Sequence, residues 1–226
     1  MIGLLRGWLP VTFFTMHGAQ FAVATEMVCW LLLLGARLEQ LRRSAADARR
    51  EHDTLHLLAH TDPLTGLRNR RGLHQAMEGG LHDGQLLAPR QSLAVFLLDL
   101  DGFKPVNDRW GHDAGDALLR DVAQRLTHAV RPTDVVARLG GDEFVVAVDG
   151  LADVEQAEVI GRKLLAQFAA PFDLGDERMA RVGATIGFAL GQRPVRSPAE
   201  LLQRADAAMY AGKQAGKNTV VAAEAA

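Results

Sequence analysis

The chain has 226 residues, 48% apolar and 23% charged, enough for one ordinary domain plus a modest extension but too short for a large multidomain enzyme. Its 25 Lys and Arg nearly balance 27 Asp and Glu, a formal charge of −2, which argues against the basic footprint of a dedicated nucleic-acid-binding protein. The single cysteine, Cys29, excludes a disulfide scaffold and a Cys-rich zinc site, and the apolar content excludes general disorder.

The charge is not evenly spread. Residues 18–36, GAQFAVATEMVCWLLLLGA, carry one charge, Glu26, over nineteen positions. About twenty apolar residues in helical form match a bilayer core of roughly 30 Å, so a membrane span is expected here. A buried soluble helix and a cleaved signal peptide are the competing readings. Arg37, Arg42, Arg43, Arg49 and Arg50 follow the run, whereas only Arg6 precedes it, so the rest of the chain is expected on the cytoplasmic side of the inner membrane. Glu26 is costly at mid-membrane and should face another helix. The stretch GWLPVTFFTM before it is apolar and broken at Pro10, as if an earlier span ended there. The segment is expected to be the last part of a larger membrane sensor, or a short form of one.

Residues 37–60 lack proline and glycine. Leu38, Leu41, Ala45, Ala48, His52, Leu55 and Ala59 recur at alternating spacings of three and four, a short heptad seam. A coiled-coil-like signalling helix is one reading and a solvated linker helix the other. Beyond Thr61 the pattern alternates. It predicts a short helix from Asp62-Pro63, strands over 92–100, 135–139, 144–148, 182–190 and 219–222, and helices over 113–130, 154–168 and 199–214. That order implies one α/β domain over 61–226 with a mostly antiparallel central sheet.

Two places in this domain carry chemistry. The strand SLAVFLLDLDGF ends in Asp99 and Asp101, which share a face because strand side chains alternate. Paired carboxylates there suit a hard divalent cation, or alternatively cap the next helix. Downstream, Arg138-Leu139-Gly140-Gly141-Asp142-Glu143-Phe144 lies between two valine-rich runs and reads as a hairpin with a glycine turn and two acids at its tip. If the hairpin lies beside the first strand, Glu143 and Asp99 can converge on one cation. The segment Gly212-Lys213-Gln214-Ala215-Gly216-Lys217 is not a P-loop, because its glycine spacing is one short and no Ser or Thr follows.

At these residues the sequence resembles the GGDEF-domain diguanylate cyclases. The signature stands unaltered as Gly140 to Phe144, and the resemblance extends through DPLTGLRNRRGL at 62–73, DLDGFKPVNDRWGHDAGD at 99–116 and ADAAMYAGKQAGKN at 205–218. It implies a nucleotidyl-cyclase or polymerase-palm-like α+β domain, flanked by helices and preceded by the membrane helix and linker. Position by position, it implies that Asp99, the carbonyl of Leu100 and Glu143 hold Mg²⁺ (or Mn²⁺) against the triphosphate of GTP. Asn107 and Asp116 would read guanine, with His112 beside the same pocket. Gly102, Phe103 and Lys104 would hold the phosphates, with Gly140 and Gly141 lying against the nucleotide and Lys213 and Lys217 adding positive charge. Asp142, Glu143 and Lys104 would be the catalytic side chains. Asp62, Gly66, Asn69 and Arg70 match a family motif and are expected to position the first helix.

The same resemblance makes Arg131 and Asp134 an RxxD site at which the product, cyclic di-GMP, inhibits; a plain polar turn at Pro132 is the competing reading. The implied reaction joins two GTP molecules into cyclic di-GMP with loss of two pyrophosphates. Two reciprocal attacks suit a two-fold homodimer, which the linker would promote. The rival is a silent GGDEF receptor that binds cyclic di-GMP without making it.

Overall fold

The computed structural model describes residues 13–79, 92–192 and 197–224. The chain divides into two compact units, Met1–Leu55 and His56–Ala226.

The first helix, α1, runs Phe13–His60. Within it Gln20–Ser44 has a mean hydropathy of 1.7 over its most apolar window and is not buried at all, so it is long and apolar enough to cross a bilayer. Its apolar side chains, among them Trp30 and Leu31 to Leu34, are exposed. Thr25 and Ser44 return their hydroxyls to the carbonyls of Phe21 and Leu41 at 2.8 and 3.0 Å, which satisfies both without water. Past the apolar run, Arg43 pairs with Glu39 at 3.2 Å one turn earlier. The expected break at Pro10 lies outside the described residues, as do the side chains of the heptad positions from Ala45 to Leu55.

The second unit is built on β1, Ser92–Asp101, which lies at the centre of a five-stranded sheet in the order β2-β3-β1-β6-β7. Here β2 is Val135–Gly140, β3 Glu143–Leu151, β6 Gly183–Gln192 and β7 Val220–Ala222. All neighbours are antiparallel except β6 and β7. A central strand covered on both faces needs a continuous apolar run, and Leu93 to Leu98 supply it. Alternation then sorts the side chains. Phe96 and Leu98 face a core closed by α4 (His112–Ala129) and α5 (Val154–Ala166), where Phe96 stacks on Phe188 with centroids 5.4 Å apart. Val95 and Leu97 face the opposite core, closed by α2 (Arg70–Gly79) and α6 (Pro198–Gln214). On that side α6 lies so close that a Cβ on Gly187 would collide with the backbone of Ala205 and Met209. A two-stranded ribbon, β4 (Phe172–Asp173) with β5 (Met179–Ala180), completes the unit.

Two expectations need correction. No helix starts at Asp62-Pro63; those residues turn, because the Asp62 carboxylate is taken by Thr65 and by a distant arginine. The helix begins at Arg70 instead, where Asn69 Oδ1 accepts from the amides of Arg71 and Gly72, both at 3.0 Å, as an N-cap does. A further helix, α3 (Phe103–Trp110), occupies a stretch where no element was expected. It buries only Val106, too little for an apolar period to show in the sequence.

Phe96→Ala is expected to cost about 3–5 kcal/mol, since the ring is fully buried between two packed helices and cannot be replaced by collapse alone. Equilibrium urea denaturation followed by circular dichroism checks this; a loss below about 1 kcal/mol would place the core elsewhere.

Candidate functional site

The site is set by strand register. Asp99 on β1 is the direct partner of Glu143 on β3, so the two side chains leave the same face at the same end of the sheet. On its other side Asp99 pairs with Thr185 of β6. The hairpin tip between β2 and β3 folds back over the strand end, with the Leu100 amide donating to the Asp142 carbonyl at 3.3 Å. Gly140 and Gly141 have φ of 143° and 54°, so the turn needs residues free of a Cβ and presents bare backbone.

The electrostatics of this end are lopsided. Burial, and then the charge of Asp99, push the Asp142 carboxyl above the usual carboxylate range, with Lys213 and Arg138 pulling the other way. Asp99 is held by Lys213 of α6, Nζ to Oδ2 at 2.7 Å. Lys213 thus stands where a cation is wanted, and reaches there from the opposite core's helix. Asp101, by contrast, is consumed structurally: its Oδ2 accepts from the Thr185 hydroxyl at 2.8 Å and from the Asn218 amide at 2.9 Å.

Donor chemistry fits a hard divalent ion. Asp99, Glu143, Asp142 and the Leu100 carbonyl offer only oxygen, and after burial the charge of Asp99 is the second cause of the raised Asp142 carboxyl. Among the described residues no group of three or more His, Cys, Asp or Glu side chains stands close enough together to hold a metal ion. An ion there would therefore keep water or substrate oxygens as ligands, the habit of Mg²⁺.

Beyond the strand end the chain turns through Gly102, φ 92°, into α3, whose first turn carries a half-buried Phe103 and an exposed Lys104. Asn107, further along, has its Oδ1 buried without a hydrogen-bond partner. It points at α4, where a Cβ on Gly115 would overlap the same oxygen, so only glycine leaves room for it. An orphaned acceptor costs about 1–3 kcal/mol and implies a missing donor. Asp116, half-buried, follows Gly115 directly, and exposed His112 opens the same helix. Lys217 stands apart from Lys213. It lies past the end of α6 with φ 65°, its amide returning to the Gly212 carbonyl at 3.1 Å, so it shares no helical face with Lys213. Arg131 and Asp134 stand away from this end of the sheet, at the start of β2. There the Arg131 amide donates to Asp134 Oδ2 at 2.9 Å, and both residues line a cleft of about 860 Å³.

The residue that sequence reasoning passed over is Arg138. Its guanidinium donates to the Gly141 carbonyl through Nε at 3.0 Å and an Nη at 2.8 Å, and grips both oxygens of Asp62 at 3.0 and 3.1 Å. The arginine therefore fastens the glycine turn to the 61–69 loop. Burial works against the charged Asp62 carboxylate, but the Thr65 hydroxyl and amide and the Arg138 guanidinium more than offset it and hold the group below its ordinary range. The signal in the sequence was the position itself: a cation two residues before a glycine turn has the turn's own carbonyls within reach.

This strand-helix arrangement, a mostly antiparallel sheet carrying acids at one end beside a glycine-turn hairpin, defines a palm-like α/β domain. A family model described as "Diguanylate cyclase, GGDEF domain" matches residues 59–219. The chain belongs to that family. It is 38% identical over 216 residues to the bifunctional diguanylate cyclase/cyclic di-GMP phosphodiesterase MucR of Pseudomonas aeruginosa, covering 96% of this chain and 30% of MucR. It is 39% identical over 184 residues to the diguanylate cyclase TpbB of the same species, covering 81% of this chain and 42% of TpbB. The chain thus spans less than half the length of these curated relatives. Among solved structures, the coiled coil and GGDEF domain of DgcB from Caulobacter crescentus, in complex with c-di-GMP, superposes with a TM-score of 0.74 at 27% identity, covering 84% of this chain and 99% of that one.

Asp62→Asn is expected to destabilise the protein by about 1–3 kcal/mol at neutral pH, the loss of a charge-assisted pair. Because the folded carboxyl titrates below its unfolded value, its contribution is complete above about pH 4 and fades as the pH falls through the folded value. Thermal melts of wild type and variant should accordingly converge in acid; a gap that stays constant to pH 2 would remove the ion pair as its cause.

Proposed function

We propose that the chain is a diguanylate cyclase that condenses two GTP molecules into cyclic di-GMP and two pyrophosphates, anchored in the inner membrane by its apolar helix with the 61–226 domain in the cytoplasm. The observation that carries this reading is the register pairing of Asp99 with Glu143 beside a bare glycine turn. Asn107 of α3 and the half-buried Asp116 early in α4 support it, because an amide and a carboxylate together match the donors and acceptors of the guanine edge.

Asp99, the Leu100 carbonyl and Glu143 would hold the ion, with Lys213 exchanging its grip on Asp99 for the substrate's phosphates. When bound, Mg²⁺ or Mn²⁺ would supply charge neutralisation on the triphosphate and lower the pKa of the attacking hydroxyl. Asn107 and Asp116 orient guanine, with His112 at the pocket's edge, while the Gly102–Phe103 amides, Lys104 and Lys217 steady the phosphates. The 3′-oxygen of one GTP forms a bond to the α-phosphorus of the other as the bond to pyrophosphate breaks. A carboxylate at the hairpin tip, Asp142 or Glu143, takes the hydroxyl proton. Arg138 holds the tip still by fixing the Gly141 carbonyl. Since each domain holds one GTP, ring closure requires two domains facing each other, and a two-fold homodimer meets the need with one interface. Pairing through the 37–60 helix would raise the domains' effective concentration.

Incubating the purified chain with GTP and Mg²⁺ and resolving the nucleotides by chromatography tests the activity; cyclic di-GMP should accumulate from GTP and no cyclic product from ATP. Glu143→Gln should cut formation by about a hundredfold or more while the melting temperature is retained. Unchanged turnover in that variant would end the assignment of Glu143.

Arg131 and Asp134 are the proposed inhibitory site for the product, since guanidinium suits a phosphodiester and carboxylate suits the guanine N–H edge. Arg131→Ala is expected to let synthesis continue at product concentrations that arrest the wild type, read as progress curves; identical curves would remove the inhibitory role.

A further inference from the structure

The cleft at the start of β2 holds more than the Arg131 and Asp134 pair. Its far wall is the 66–68 turn, which brings Arg68 into the same space, and His128 of α4 stands at its margin. A volume of about 860 Å³ is within the range that takes a molecule of several hundred daltons. The backbone at Arg68 is fixed: it bridges to Ala137 of β2 and to Thr61, and its carbonyl accepts from the Arg138 amide at 2.8 Å. Its side chain is exposed, and among the described residues its guanidinium makes no hydrogen bond or ion pair. Nearby arginines are committed, Arg138 to Asp62 and Gly141, and Arg125 to Asp121 and three carbonyls.

We propose that Arg68 is a further ligand-binding residue of this cleft, gripping the second phosphodiester of a cyclic dinucleotide whose first phosphodiester and one guanine edge are taken by Arg131 and Asp134. This rests on the inhibitory-site reading above. A cyclic dinucleotide carries two phosphodiesters, each presenting two non-bridging oxygens that a guanidinium fork matches. Arg131 answers one of them. His128 does not answer the other in its neutral form. Its Nδ1 lies 2.8 Å from the Gln124 carbonyl, which only accepts, so Nδ1 carries the proton and Nε2 offers the cleft a lone pair. Arg68 is the remaining cation on the cleft wall, and the rigid backbone beneath it limits the entropy lost when its side chain closes on the ligand.

The test is titration calorimetry of cyclic di-GMP into the full chain in detergent, with wild type, Arg68→Ala, Arg68→Gln, Arg68→Lys and Arg131→Ala. Arg68→Ala and Arg68→Gln should each raise Kd about tenfold or more and make it less sensitive to salt, with Arg68→Lys recovering part of the loss. Melting temperatures of the Gln and Lys variants, alike in size and differing in charge, separate lost binding from lost fold. If Arg131→Ala weakens binding while both neutral Arg68 variants stay within about twofold of wild type, the Arg68 assignment is overturned and the inhibitory site stands. If neither position matters, or wild type does not bind, the inhibitory-site reading falls and Arg68 with it. Loss at Arg68 alone would keep it as a ligand residue and remove Arg131.

Discussion

One backbone pairing governs the molecule: the antiparallel register that sets Asp99 opposite Glu143. A slip of a single residue between β1 and β3 would put the two carboxylates on opposite faces of the sheet and turn one of them into the wrong core, where an unpaired charge costs several kcal/mol. The apolar residues behind them prevent it. Leu93, Val95 and Leu97 are locked among α2 and α6 while Phe96 and Leu98 are locked among α4 and α5, so the strand cannot shift without exposing one set and burying acids in the other. Core packing and the placement of the acids are therefore a single constraint.

The acidic end of the sheet is braced from three directions by charge-assisted contacts. Lys213 comes from α6 and meets Asp99; Arg138 reaches from β2 to the glycine turn and to Asp62; Thr185 and the Asn218 amide hold Asp101. These contacts differ in kind. The Asp101 set uses a neutral hydroxyl and a backbone amide and is suited to permanence. Lys213 is a flexible point charge, about a third exposed, and suited to exchange. The division separates the carboxylate that stays put from the one that has to be available.

The core strands, the long helices and the sheet character were legible in the sequence because each follows a single strong period. The run at 92–100 and the amphipathic stretch at 113–130 came within a residue or so of their observed limits. The acids at positions 99 and 143 could be brought together on paper because a strand end and a hairpin tip have few ways to meet. What escaped reading depended on contacts between distant segments. Asp62 looks like a helix cap until Arg138, 76 residues later, claims its oxygens. α3 is too short and too exposed to carry a period. Lys213 and Lys217 show the same limit: four-residue spacing implies a shared face only while the helix lasts, and α6 stops at Gln214.

The tie between Asp101 and Asn218 spans 117 residues, and β7, which follows Asn218, is the one strand that joins the sheet in parallel. A tie between segments so far apart in sequence comes late, after local helices and hairpins have formed. During synthesis on the ribosome, Asp99 emerges well before Lys213, and the central strand must wait for its outer neighbour. The growing polypeptide thus carries an open acidic edge and an unfinished sheet until nearly the whole domain has left the exit tunnel.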